Sequence, residues 1–506
     1  VDDADLQLSF ALPAAAAANP WRNLFAPPIA RAAPVSDRDV LSYVRESNYF
    51  DPSGGITLAR VLRALPPQWD SDHDGRWNGY IPDAWFHFDE RGFDRAADGR
   101  ATGWRAFAYA PFLGAFFPTN GAMDDVLIRL DPALREDAAG KADERVYAVN
   151  LAVVETLISR ADVAIEPVDE RALGRDLDLD GRLGRAVRVA FRAPQPGRAA
   201  GMHYVGRAGA LQDRGEFPLG PGLFPLGTEF LHSVRYIDVG ARGQVAIAAR
   251  MKELRYAKKV RWLTPADLKA RAAAEVTEQA ESADGVLQFL WQFDRGIYND
   301  QGWLLQGFIE AADGHLRPQS YEESLACVGC HGEIGATTDS MFAFARKLGR
   351  GTPSQGWFHW TQHDLHGIPE PRRRDGRYEY SFYLANNGAA DDLRENHEAW
   401  ERFFDAGDAL KPAALEKLHT DVSVLLLPSA ARALDLDRAS MAIARAQAFA
   451  AGREPVLSPT QHAHQRAPVD EKTGVALAVD GPMGPVGSED VATVTRRPGP
   501  RGGRRP

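Results

Sequence analysis

The chain has 506 residues, 44% of them hydrophobic and 25% charged, with a formal net charge of −10. These are ordinary values for a globular protein with a real core, and the length suits roughly two to four domains or one large irregular one. The acidic excess argues against nucleic acid as a partner. No apolar run reaches the ~18 residues of a membrane-spanning helix; the nearest, 146–158, is interrupted by Asn150 and Glu155.

The chain opens on Val1 rather than methionine, which reads as processing or a fragment. Residues 1–35 are rich in Ala and Pro and are expected to be poorly ordered. Within them "LSFALPAAAAANP" has the form of the end of a cleaved export signal. Asp2, Asp3 and Asp5 stand where such a signal carries positive charge. A helix is expected from "SDRDVLSYVRES", with Ser36 as N-cap and Asp39 three residues on. Residues 56–130, dense in aromatics, Gly and Pro, read as buried loops and short strands. "DERVYAVNLAVVETLISR" (143–160) has the apolar spacing of a long helix.

Short strands are expected at 185–193, 201–207, 234–239 and 244–250. "TPADLKARAAAEVTEQAESADG" (264–285) has Thr264 as cap and Pro265 at the first helical position. "GWLLQGFIEAADGHLRPQ" reads as two strands around an Asp313-Gly314 turn, and helices follow at 392–406, 412–427 and 437–451. From Gly452 the chain is polar and proline-rich and ends in a basic tail expected to be disordered.

One pattern occurs twice: "DSDHDGRWNG" (70–79) and "DLDLDGRLG" (176–184). Asp70, Asp72 and Asp74 sit at alternate positions before Gly75, with Asn78 at position 9. This resembles the front half of an EF-hand loop, in which hard carboxylate oxygens take calcium and glycine permits the sharp turn. Asp176, Asp178 and Asp180 repeat the pattern before Gly181. Neither loop is complete. Position 12, where a bidentate Glu belongs, is Ile81 in one and Val187 in the other. Asp83 stands two residues beyond the first loop, and Glu166, Asp169 or Glu170 could reach the second. The competing reading is a pair of solvated acidic turns.

The two cysteines lie together in "LACVGCHGEIG". Cys327 and Cys330 on one helical face, with His331 beside them, could add to two haem vinyl groups and ligate the iron. "SYEE", a capping box of Ser320 and Glu323, would start that turn. A zinc site of Cys327, Cys330, His359 and His363 also fits in part, although the 28 residues between Cys330 and His359 exceed the usual ~12–15. A redox dithiol is the third reading.

"CVGCH" resembles the attachment motif of c-type cytochromes, over five residues of the chain. The resemblance implies one covalent haem c on Cys327 and Cys330, with His331 as proximal ligand. It also implies a bacterial location in the periplasm or outside the cell, because that attachment occurs outside the cytoplasm. His359 and Met251 are the leading distal candidates, ahead of Met341, Met441, His363 and His366. Arg317 is a possible propionate contact, with Arg346 and Lys347 nearby, and Trp303, Phe308, Trp357, Phe358 and Trp360 could wall a pocket. His232 reads as a core histidine.

The expected fold is α+β, a loop-rich mixed scaffold with a mainly helical haem segment toward the C-terminus. Its divisions are 1–35, poorly ordered; 36–319, the scaffold with both acidic loops; 320–452, the haem segment; and 453–506, the tail. The expected function is electron transfer to a redox partner protein that the sequence does not name. A haem oxidoreductase with an open sixth iron position stands behind it, and then a zinc- and calcium-stabilised binding protein. Oligomeric state is not legible.

Overall fold

A computed structural model describes residues 35–457, apart from 112–117, 194–200, 265, 269, 272–288, 332–337, 343, 350–355, 373–375, 390–395, 448, 450–452 and 456. The expectations for the two ends of the chain, and for most of the helix at 264–285, lie outside these residues. In chain order the elements are α1 (Asp37–Arg45), α2 (Thr57–Ala64), β1 (Phe93–Arg95), β2 (Ala101–Ala106), β3 (Met123–Asp124) and β4 (Leu127–Arg129). Then come α3 (Glu144–Ser159), β5 (Val163–Asp169), α4 (Glu170–Leu173), β6 (Arg185–Val189), α5 (Gly206–Asp213), β7 (Glu229–Val239) and β8 (Val245–Lys259). The last are β9 (Trp291–Gln292), β10 (Gly296–Tyr298), β11 (Trp303–Glu310), β12 (Leu316–Pro318), α6 (Tyr321–His331), α7 (Glu379–Asn387), α8 (His397–Phe403), α9 (Pro412–Thr420), α10 (Ser423–Leu426) and α11 (Ala430–Ala446).

The architecture is α+β. One antiparallel sheet runs β1-β2-β4-β7-β8-β11-β10-β9, with β3 beside β4 on the edge of β7 and β12 beside β10 on the edge of β11. β5 and β6 form a separate antiparallel ribbon. Side chains alternate between the two faces of a strand, and the core divides accordingly. Ile128, Phe230 and Ala257 join one cluster, with α3 and with Cys327 and Val328 of α6. Their strand neighbours Leu127, Leu231 and Tyr256 join another, under Tyr49, Trp77, Tyr80 and Trp104. The far ends of β7 and β8 carry a helical layer: Ile237, Val239 and Val245 pack against Tyr380, Tyr383, Phe403 and Leu418.

Local chemistry sets the boundaries. Ser36 Oγ accepts the Asp39 N–H at the start of α1, and Asp143 accepts two N–H groups at the start of α3. α3 is buried on nearly every side, which explains its apolar run. The turn between β11 and β12 uses Gly314 at φ +87°. Three expectations shift. The stretch 201–207 is coil leading into α5, the segment 412–427 breaks into α9 and α10, and the last helix starts at Ala430 behind a Ser429 cap.

Asp437, on α11, is fully buried. One carboxylate oxygen accepts the Ile237 N–H at 3.2 Å and the other has no partner. Burial raises this carboxyl to about 8, with Lys252 opposing. The native state therefore holds a proton that the unfolded chain releases near its ordinary 3.8. Its contribution is complete below about pH 4 and is lost as pH rises toward 8. Asp437→Asn is expected to gain stability relative to wild type between those limits, read by urea unfolding at several pH values. Parallel losses in both chains would contradict this assignment.

Candidate functional site

The two acidic loops follow the same backbone course. In the first, the Gly75 N–H donates to Asp70 Oδ2 (3.1 Å) and the Arg76 N–H to Asp74 Oδ1 (2.8 Å). In the second, the Gly181 N–H donates to Asp176 Oδ2 (2.9 Å) and the Arg182 N–H to Asp180 Oδ1 (2.8 Å). His73 and Leu179 occupy equivalent left-handed positions at φ +59° and +57°, and Gly75 and Gly181 follow at +74° and +88°. The repeated sequence is thus a repeated structure, with glycine where the chain turns back.

Each loop gathers carboxylates. Asp70, Asp72 and Asp74 bring oxygens within 4.8 Å of one another, and so do Glu170, Asp176 and Asp178. No ion pair joins these six residues to a cation among the described residues. Asn78 donates to Asp72 and Asp74 at 3.3 and 3.0 Å, and this bond with the Arg76 N–H lowers the Asp74 pKa. Asp83 lies elsewhere, accepting from Trp104 Nε1 and pairing with Arg129 at 2.6 Å.

For the second loop, Glu170 is the carboxylate that reaches it. It is 1% exposed and accepts the Leu177, Asp178 and Gly184 N–H groups at 2.6, 3.3 and 2.8 Å. Asp180 faces its own turn instead, and Asp169 pairs with Arg171. Burial, then the charges of Glu170, Asp180 and Asp176, raises the Asp178 pKa. A divalent cation would relieve that repulsion.

The cysteine-bearing helix α6 starts as its capping box requires. The Ser320 N–H donates to Glu323 Oε2 (2.9 Å) and the Glu323 N–H to Ser320 Oγ (3.3 Å). Arg317 grips the same Glu323 with two bonds of 2.8 Å and reaches Gln447. Cys327 is a buried free cysteine whose Sγ lies 3.8 Å from Gln319 Oε1. Burial pushes its thiol up, the opposite of a reactive thiolate. His331 Nδ1 lies 2.8 Å from the Ser340 carbonyl, so Nδ1 carries the proton in a neutral ring; burial holds this imidazole down to about 4.

His359 is occupied on both ring nitrogens, by Asp125 at 3.0 Å and Thr361 at 2.8 Å. Met251 belongs to the opposite core cluster from Cys327, across the sheet, and its backbone is tied to Asn48. Arg346 pairs with Glu379 at 3.0 Å and Lys347 with Glu155 at 3.1 Å. His232 sits on β7, and burial, then Arg255, holds it down to about 3. Among the described residues Cys327, His359 and His363 form no common metal group.

An α+β protein with paired carboxylate loops is the class that fold and site define. The family model described as "-like lipoprotein" matches residues 1–415, and the chain belongs to that family. It is similar to the "Uncharacterized lipoprotein" of Aquifex aeolicus (strain VF5), at 28% identity over 511 residues, covering 90% of this chain and 78% of that relative. No solved structure matches.

These findings correct the cytochrome reading. A match over residues 1–415 assigns a lipoprotein family, not a cytochrome c domain, and it outweighs a five-residue likeness. Haem attachment to Cys327, Cys330 and His331 is overturned, and with it the electron-carrier and haem-enzyme functions. Arg317, His359 and Met251 lose their haem roles and have the structural partners described above. No helix among the described residues is long and apolar enough to cross a membrane.

Proposed function

We propose that this chain works outside the cytoplasm, held at a membrane surface by lipid, as a protein braced by calcium. Its two carboxylate loops are the cation sites. The observation that carries the reading is the matching turn of the two loops, each converging three carboxylates without an ion-paired cation side chain among the described residues. Membership of a lipoprotein family supports the location. Calcium at Asp70, Asp72 and Asp74, with Asn78 beside them, would fasten the segment that leads into Trp77 and Tyr80 over the sheet. Calcium at Glu170, Asp176 and Asp178 would fasten the β5–β6 ribbon. Neither loop carries the usual twelfth-position Glu, so affinities of about 10⁻⁴–10⁻³ M, those of extracellular modules, are expected. The second loop, with its buried Glu170, is expected to bind more tightly.

Thermal unfolding of the full chain tests this. Calcium at 100 times its dissociation constant is expected to add about 2.7 kcal/mol per site. The melting temperature should rise with calcium chloride, fall back with a chelator, and respond far less to magnesium. Melting curves indifferent to calcium at about 10 mM, well above the weakest expected constant, would sink the proposal. Cell fractionation tests the tether: release from membranes by detergent but not by salt is expected, and recovery in the cytosol would contradict it.

A further inference from the structure

A cavity of about 420 Å³ lies between α3, β5 and the side chains of Lys347 and Trp357. Arg145, Ala148, Val149, Ala152 and Glu155 share one face of α3 and form a wall that is apolar in its middle and charged at its ends. The mouth is exposed at Arg145 and Glu166, and the floor is buried.

Two groups on that floor keep polar atoms without partners. Arg105 is 5% exposed, and its guanidinium carbon lies 3.8 Å from the Trp357 ring centre and 4.4 Å from that of Phe93. Its Nε donates to the Arg91 carbonyl at 2.9 Å. Its terminal nitrogens donate to no group among the described residues, and no carboxylate there pairs with it. Burial, then the charge of Arg91, holds this guanidinium down to about 9. The second group is Glu155, 3% exposed. Its Oε1 takes Lys347 Nζ at 3.1 Å, and its Oε2 is buried with no partner. Buried polar atoms are costly when unpaired. The Arg105 donors line the cavity without a partner among the described residues, whereas Glu155 Oε2 is sealed from it, so an acceptor is what the cavity lacks.

We propose that this cavity is a binding site for a small organic acid with an alkyl body. The carboxylate accepts from the terminal nitrogens of Arg105, for which a planar fork is the matching partner. The alkyl body lies along Ala148, Val149 and Ala152. Trp357 and Phe93 hold the guanidinium plane before the ligand arrives, so little order is lost on binding.

The test is calorimetric titration of the full chain with octanoate, octanol and octylamine. Octanoate is expected to bind, octanol at least tenfold more weakly for want of the charged hydrogen bonds to Arg105, and octylamine not at all. Arg105→Gln should weaken octanoate at least tenfold. Ala152→Leu, which fills the apolar wall and leaves every charge in place, should do the same. No binding of octanoate to the wild-type chain, or equal binding of octylamine, would overturn the proposal. So would unchanged affinity in a folded Arg105→Gln; should that variant fail to fold, unchanged affinity in Ala152→Leu would do so.

Discussion

Lys259→Met is expected to lower the unfolding free energy by about 3–5 kcal/mol, the range for breaking one side of a buried ion pair. Lys259 ends β8, and its Nζ lies 2.5 Å from Asp339 Oδ1, both side chains being fully buried. Asp339 also accepts the Phe224 N–H at 2.9 Å, and Lys259 sits 5.2 Å from the Trp303 ring centre. Burial raises the Asp339 carboxyl to about 6, against the pull of Lys259. Without Lys259 that carboxyl keeps only the Phe224 N–H and the neighbouring Trp303 indole in an otherwise apolar surround. Asp339 has φ +51°, a conformation asparagine tolerates, so Lys259→Met with Asp339→Asn should recover most of the loss. Denaturant unfolding of the four chains reads the coupling. Single variants that each lose less than about 1 kcal/mol would place this pair with the weak surface bridges.

Glu170→Gln is expected to remove calcium binding at the second loop and leave the first intact. The side chain has two duties: it accepts three backbone N–H groups, and it stands within the carboxylate group of Asp176 and Asp178. The amide keeps one acceptor oxygen, so at least one buried N–H is orphaned. That costs about 1–3 kcal/mol even with a chelator present. A calcium titration separates the duties. Lost stability with an unchanged titration would make Glu170 a backbone clamp alone and would remove it from the cation site.

Where local chemistry decides, the structure was legible. The Ser36 cap, the Ser320–Glu323 box, the helix at 143–160 and the Asp313-Gly314 turn all stand as their residues imply. The expected strands at 234–239 and 244–250 proved to be parts of 229–239 and 245–259. The rest of the longer strand carries Glu253, Arg255 and Lys259, charges that each find a partner inside the fold. The acidic loops were visible because Asp and Gly act over five residues. The choice of Glu170 over Glu166 and Asp169 was not, because it depends on how the β5–β6 ribbon folds back. The floor of the cavity could not be read at all: Arg105, Glu155 and Trp357 come from three distant parts of the chain. The cysteine motif misled because its five residues fit a capped helical turn in any helix that buries a small thiol.

Equilibrium dialysis of the chelator-treated full chain against radioactive calcium tests most directly whether the two loops are cation sites. With about 10 mM free calcium and protein at about 1 mM, which suit constants of about 10⁻⁴–10⁻³ M, two calcium ions per chain are expected, falling to one in Glu170→Gln and to one in Asp72→Asn with Asp74→Asn. Wild-type protein that retains no calcium above the dialysis buffer would contradict the account and leave both loops as solvated acidic turns.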